Sequence, residues 1–200
     1  MEEATLHEQR LDLVTALLLQ SGATSVLDLG CGAGRLLARL LPHPRFDRIT
    51  GVDLCTNALA VARSELGDAG RADPRLRLMH GDCTRPLEGL APHEAAVLVE
   101  TIEHLDPGLL SGTERALFGH HRPRLAIVTT PNREYNVLYG LAEREVRDPD
   151  HRFEWDRTRF RAWAGGVARR NGYAVRFGGI GKPHLELGAP GQYACFTRTD

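Results

Sequence analysis

Ser25-Val-Leu-Asp28-Leu-Gly30-Cys31-Gly32-Ala-Gly34-Arg35 is the stretch that decides the fold. Its first five residues make a short, almost wholly apolar run, the mark of a strand buried on both faces. Three alternating glycines follow, which let a backbone turn sharply and bring its amides close to a ligand. Helical spacing takes over from Gly34 to Leu41 and stops at Pro42 and Pro44. A strand, a glycine turn and a helix in this order form the opening unit of a nucleotide-type sheet.

Outward from that unit the pattern alternates. Upstream, Leu6, Leu13, Val14, Leu17 and Leu18 predict an amphipathic leading helix ended near Gly22. Downstream, strands are expected at Arg48–Val52, Leu76–Met79, Ala95–Val99 and Leu125–Val128, the last running into Thr129-Thr-Pro-Asn132. Helices are expected from Thr56, as N-cap, to Leu66, and from Pro107 to Phe118. An irregular polar stretch from Glu134 to Asp156 precedes a helix through Phe160, Trp163, Ala164, Val167 and Ala168, closed by Asn171-Gly172. Tyr173–Phe177 and Gln192–Thr197 follow closely enough to suggest an antiparallel pair at one end of the sheet. The expectation is an α/β, doubly wound, mostly parallel sheet with ligands beyond the carboxyl ends of its strands. One domain is expected over residues 1–200, with 1–21 as leading helix and 133–156 as an insertion on the active-site rim.

Composition narrows the function. The 200 residues carry 25 basic and 26 acidic side chains, a net charge of −1, which excludes a cation that coats nucleic acid. That balance is uneven: residues 1–120 have a net charge of −6 and residues 121–200 one of +5. Four separated cysteines without a C-x-x-C argue against zinc and disulfides and fit a reducing cytosol. No apolar run approaches the roughly 18 residues of a membrane span, and the acidic start is unlike a signal peptide. A cytoplasmic protein without membrane contact is expected.

The glycine loop departs from G-x-G-x-x-G, because Arg35 stands where the third glycine belongs. Asp28, just before Gly30, would repel a phosphate but pair with an ammonium group. Asp53 ends the second strand, where an acid can accept from ribose hydroxyls. Asp82, after the third strand, suits a base edge. Together they point to a nucleoside bearing an amino acid, S-adenosylmethionine. A glycine-rich turn in another doubly wound fold is the competing reading.

After the fourth strand, Glu100, Glu103 and His104 stand at i, i+3 and i+4 and would share one face of a helical turn. Two carboxylates and an imidazole are costly as bare neighbours, and Mg²⁺ or Mn²⁺ would relieve them. A solvated acidic helix start is the alternative. Of nine histidines, His151, on the same rim, is the candidate fourth ligand, whereas His120-His121 suit a surface turn.

Three separated runs, Val99-Glu-Thr-Ile-Glu-His-Leu-Asp106, Thr129-Thr-Pro-Asn-Arg-Glu-Tyr-Asn136 and Asp150-His-Arg-Phe-Glu-Trp155, resemble the small-RNA 3′-terminal 2′-O-methyltransferase family, the HUA-enhancer type with plant, animal and bacterial members. The resemblance covers about residues 22–198 and is to the methyltransferase domain of the bacterial kind. It implies the class I S-adenosylmethionine-dependent (Rossmann-like) fold and methyl transfer to the 2′-OH of an RNA 3′-terminal ribose. It implies Mn²⁺ or Mg²⁺ between the terminal 2′,3′-diol and Glu100, Glu103, His104 and His151, with His104 or another nearby group as base. Asp28, Gly30, Gly32 and Asp53 match its cofactor segments. Cys31, Gly34, Leu54, Asp82, Cys83 and Glu100 are the further cofactor contacts expected.

Asn132, Arg133, Tyr135, Arg152, Phe153 and Trp155 are the expected RNA contacts. Arg144, Arg147, Arg157, Arg159 and Arg161 extend a possible phosphate track, and Tyr139 offers another stacking ring. Two departures stand out. Bacterial members carry an N-terminal domain that works with an RNA-repair ligase and kinase-phosphatase, whereas about twenty residues precede the cofactor loop here, so the chain is either an excised domain or a stand-alone enzyme. Asp82-Cys-Thr-Arg-Pro-Leu-Glu88 also differs from the family's Gly-Ser-Leu-Thr-Tyr-Arg-Asp run. The functional alternatives are a small-molecule diol O-methyltransferase and an inactive module that binds RNA or regulates a ligase.

Overall fold

Side chains of consecutive residues in the central strands point to opposite faces, and both faces are buried. Ala95 and Val97 of β4 (Ala95–Val99) pack with one cluster, Ala96 and Leu98 with the other. Leu125 and Ile127 of β5 (Leu125–Pro131) alternate with Ala126 and Val128 in the same way. This period-two division of an apolar run makes two hydrophobic layers from one sheet. Each fully buried Leu or Ile contributes about 2 kcal/mol by leaving water.

The computed structural model describes residues 4–199. The remaining strands are β1 (Ser25–Leu29), β2 (Arg48–Asp53), β3 (Leu76–His80), β6 (Tyr173–Ile180) and β7 (Gly191–Arg198), and the sheet order is β3-β2-β1-β4-β5-β7-β6. Strands β1 to β5 are parallel, and β7 runs antiparallel between β5 and β6. The expected strand–helix alternation and terminal antiparallel pair are both present. Chain order reverses between β1 and β4, and the carboxyl ends of β1, β2, β4 and β5 open on one rim around that reversal.

Helices α1 (Leu6–Ser21), α2 (Arg35–Leu40) and α3 (Thr56–Glu65) contribute Leu11, Val14, Leu37 and Leu59 to one layer. Thr5 and Glu8 close a reciprocal capping box at the start of α1, and Gly22 ends it in the left-handed conformation. A short α4 (Gly67–Ala72), unmarked in the sequence pattern, precedes β3. On the other face lie α5 (Leu110–Glu114) and α6 (Arg157–Asn171); α6 ends at Gly172 as expected, and Asp156, not singled out in the sequence, caps its start.

Four local expectations change. Thr56 is the first residue of α3, and Cys55 is its N-cap without a side-chain bond. Asp53 Oδ1 instead accepts from Cys55 N at 2.8 Å, so the turn is held from the strand side. The helix expected over Pro107–Phe118 is three pieces: a 3₁₀ turn at Pro107–Leu109, α5, and a π-helical stretch at Arg115–His121. The widened turn sets Phe118 against Tyr173 and Phe196, at ring separations of 5.2 and 4.8 Å. His121 is no free surface turn, since its Nε2 accepts from Leu87 N. The irregular stretch also contains order: a 3₁₀ helix spans Arg133–Tyr139, and Asn132 bridges to Trp155.

Candidate active site

Gly30 N and Cys31 N both donate to the Val52 carbonyl, at 2.8 and 3.0 Å, which pins the glycine loop to β2. Gly30, at φ +78°, leaves no room for a side chain: an added Cβ would stand 2.5 Å from Thr101 Cγ2. Asp53 Oδ2 accepts from Gly32 N at 2.8 Å. Asp28 lies beneath this loop with 2% of its surface exposed, and its Oδ1 has no hydrogen-bond partner. Burial, then the charge of Asp53, raises its pKa to about 7. A buried carboxylate with an open acceptor is a fitting receptor for an ammonium group.

Two cavities of about 590 and 580 Å³ meet at this loop, sharing Gly30, Gly32 and Glu100 in their walls. The first also has Asp28 and Cys31, and is roofed by Thr5, His7, Glu8 and Leu11 of the α1 end. The second has Asp53, Leu54, Asp82 and Cys83, and reaches His104 and Asp150. Nine of the ten sequence-chosen cofactor positions line these spaces; Gly34 is buried under α3, its nearest neighbour being Ala62. Asp82 spends Oδ1 on Thr84 N and Oγ1, at 2.8 and 2.7 Å, which shapes the wall it belongs to. The roof from α1 was not anticipated, because an amphipathic pattern reports which face is buried and not what the helix end covers.

The turn after β4 corrects the expectation of one shared helical face. Glu100 has φ +50°, a left-handed conformation rare for a residue with a side chain, and the helical turn begins only at Ile102. The two carboxylates take different partners and Glu100 stays outside the cluster of ligand atoms. Glu100 pairs with Arg10 of α1 at 2.8 Å and accepts from Thr129 Oγ1 at 2.9 Å. Arg10 is 7% exposed, and no residue pattern marked it as a site residue. Glu103, fully buried, accepts from Thr130 Oγ1 at 3.0 Å, while its Oε1 has no partner. Burial, and next the charge of Glu100, holds the Glu103 pKa well above the usual carboxylate range. Glu100 is also raised by burial, with Arg10 the main opposing influence.

Glu103, His104 and His151 place one ligand atom each within 4.8 Å of one another. The two imidazoles meet edge to face with centroids 4.8 Å apart. Arg152 N donates to the Glu103 carbonyl at 2.7 Å, which draws the rim segment carrying His151 onto the β4 turn. Desolvation first, and the facing His151 second, lower the pKa of His104. An oxygen–nitrogen donor set with an unpartnered buried carboxylate oxygen fits a divalent cation such as Mn²⁺ or Mg²⁺. Glu154, absent from the sequence-chosen set, holds His151 Nδ1 at 2.6 Å.

The expected RNA contacts divide. Arg133 and Arg152 are exposed, and Tyr135 and Phe153 are half-buried on the rim. Asn132 and Trp155 are corrections, since they are 0% and 5% exposed and therefore belong to the fold. Asn132 Nδ2 ties down the carbonyls of Leu187 and Ala189, and Trp155 packs between Phe153 and Trp163. Two arginines of the track are also committed inside the protein. Arg147 donates to Asn136, Pro190 and Asn132, and Arg157 to Glu134 and Glu186. Arg159 and Arg161 lie over Trp155 and Phe177.

This sheet order, with a glycine loop, two acids at successive strand ends and an antiparallel β7, defines a class I S-adenosylmethionine-dependent methyltransferase. Residues 26–123 match the family model described as a methyltransferase domain. The methyltransferase domain of bacterial CtHen1-C superposes with a TM-score of 0.88 at 40% identity, over 98% of this chain and 100% of that one. The small RNA methyltransferase HEN1 superposes with a TM-score of 0.88 at 30% identity, over 100% of this chain and 26% of that one. The small RNA 2′-O-methyltransferase of Rattus norvegicus is 32% identical over 89% of this chain and 46% of its own length. That of Tetrahymena thermophila is 34% identical over 90% and 46%. The chain belongs to the Hen1 family of small-RNA 2′-O-methyltransferases, and spans about half the length of the curated relatives it matches.

Proposed function

We propose that this chain transfers the methyl group of S-adenosylmethionine to the 2′-OH of the 3′-terminal ribose of RNA, with a divalent cation bound at the site. The observation that carries the reading is the juxtaposition of two sites in one cavity wall, where the Gly30–Gly32 loop and Asp53 meet His104 of the Glu103–His104–His151 cluster. In this reading Asp28 receives the cofactor's ammonium, and Asp53 its ribose hydroxyls. Glu103, His104 and His151 would hold the cation, with Glu100 the fourth candidate ligand. When bound, Mn²⁺ or Mg²⁺ lowers the pKa of a coordinated hydroxyl, which suits a ribose 2′-OH. S-adenosylmethionine supplies a methyl already activated on its sulfonium. The protein therefore has chiefly to align donor and acceptor, with His104 at the cavity edge between the cofactor loop and the cluster, while the proton goes to a group not spent on the cation.

Holding both terminal hydroxyls explains selection of an RNA end over an internal ribose. Exposed Arg133 and Arg152 and half-buried Tyr135 and Phe153 then serve the last nucleotides. An RNA-repair ligase and kinase-phosphatase as partners, a cytoplasmic setting and a single folding unit complete the proposal. No helix among the described residues is long and apolar enough to cross a membrane. The test is labelling of one short RNA bearing either a 3′-terminal diol or a terminal 2′-deoxyribose, with and without Mn²⁺. Methyl incorporation should need both the diol and the metal, and equal labelling of the two ends would refute the reading.

A further inference from the structure

Glu154 has no place in the chemistry above, yet it is one of the most enclosed carboxylates of the molecule, 4% exposed, with its side chain wholly covered. Three donors from separate parts of the rim converge on it. Arg147 N reaches Oε1 at 2.8 Å, Asn136 Nδ2 reaches Oε2 at 2.6 Å, and His151 Nδ1 reaches Oε1 at 2.6 Å. A backbone N–H can only donate. The Asn136 amide is oriented by a second bond, because its Oδ1 accepts from Arg147 Nε, which also can only donate. Both Glu154 oxygens are thus acceptors, and the oxygen shared with Arg147 N requires the hydrogen on His151 Nδ1. In a neutral imidazole the lone pair is then on Nε2.

We propose that Glu154 is a positioning residue of the metal centre, fixing the His151 ring with its proton on Nδ1 so that Nε2 is the nitrogen offered beside Glu103 and His104. This rests on the reading of Glu103, His104 and His151 as cation ligands. A carboxylate behind a ligating imidazole sets the ring's tautomer and orientation and increases its basicity toward a metal. The same carboxylate ties the Arg133–Tyr139 turn and the Arg147 segment to His151, so the histidine is aimed by a braced support rather than by its own loop.

Glu154→Gln keeps the shape but replaces one acceptor oxygen by a donor. The double variant Asn136→Asp with Glu154→Gln exchanges amide and carboxylate, preserving their mutual hydrogen bond while leaving His151 without a carboxylate. The readouts are Mn²⁺ affinity from the electron paramagnetic resonance of free Mn²⁺, the His151 ring tautomer from ¹⁵N chemical shifts of the metal-free chain, and thermal unfolding. Wild type should show the Nδ1–H form. Glu154→Gln should bind Mn²⁺ about 10- to 100-fold more weakly, and the exchange variant should recover thermal stability without recovering Mn²⁺ affinity.

An Nε2–H ring in wild type overturns the proposal without any variant. So does a folded Glu154→Gln with unchanged Mn²⁺ affinity, or recovery of affinity by the exchange, which would make Glu154 a staple of the rim alone. His151→Ala separates the two levels. If it loses Mn²⁺ while Glu154→Gln does not, this proposal fails and the metal reading stands. If wild type binds no Mn²⁺, the metal reading fails, and the proposal with it, whatever the tautomer.

Discussion

Between β1 and β2 the site is held by backbone; beyond β4 it is held by side chains. The cofactor loop hangs on two amides bonded to the Val52 carbonyl, with Asp53 gripping Gly32 N from the next strand. The Glu103–His104–His151 cluster instead depends on Thr130 at the end of β5 and on Asn136, Arg147 and Glu154 in the rim that follows it. A loop held by backbone tolerates many side chains and demands glycine at its close approaches. A cluster held by side chains demands particular residues from distant segments. Glu100 belongs to both, since it lines both cavities and is paired with Arg10 of the leading helix.

The largest expected effect strikes the side-chain half alone. His151→Ala removes a ligand and should cost several kcal/mol of transition-state stabilisation, about a thousandfold in rate. S-adenosylmethionine affinity, measured by calorimetry, should stay within about twofold if the halves are independently held. A parallel loss of cofactor binding would break the comparison.

Gly30→Ala addresses the backbone half. Its Cβ would meet Thr101 at 2.5 Å in a left-handed conformation. The strained backbone and the overpacking together should cost about 3 kcal/mol of stability. Urea unfolding measures this, and Mn²⁺ affinity in the folded fraction should persist.

The same division governs what could be read before folding. Strands β1, β2, β4 and β5 and the glycine loop were legible because apolar runs and glycines report local conformation. That His104 and His151 share one rim was legible, but the departure of Glu100 from their face was not, because a single residue took the left-handed conformation. Asn132 and Trp155 read as contacts because polar and aromatic residues on a rim look alike whether they meet solvent or fold inward. Arg10 left no local signal because its partner Glu100 is on another element, and Glu154 left none because a spacing of three from His151 in an irregular segment does not tell that the two side chains meet.

Asp28 ties the comparison to pH. Its folded-state pKa, about 7, lies above its ordinary 3.8. Stability from keeping it neutral is therefore complete below about pH 4 and is lost as pH rises through 7. Between pH 5 and 8 the cofactor-free chain should lose roughly 3 kcal/mol from this group. Asp28→Asn should remove that part of the pH dependence and raise stability at pH 8, while weakening S-adenosylmethionine binding. Urea midpoints at the two pH values, with calorimetry of the cofactor, check both signs. If the variant binds the cofactor as tightly as wild type, Asp28 is not the ammonium receptor.

The smallest effect is expected where a side chain on the rim is fixed by no partner on another element. Arg152 is anchored through its amide to Glu103, but its side chain is exposed beside the cluster. If it meets an RNA phosphate, Arg152→Ala should weaken binding less than about tenfold, and reduce the slope of log affinity against log salt by about 0.7, the value for one contact to a single strand. The neighbourhood argues for a small effect: Glu143, Glu145, Asp148 and Asp150 are exposed along the same segment and offset Arg144 and Arg152. A segment with four exposed acids against two arginines cannot grip RNA by electrostatics alone, which agrees with the proposed selection by the terminal diol. Filter binding at several salt concentrations decides it. A slope change of several units on losing one arginine would mean that the rim, and not the RNA end, carries recognition.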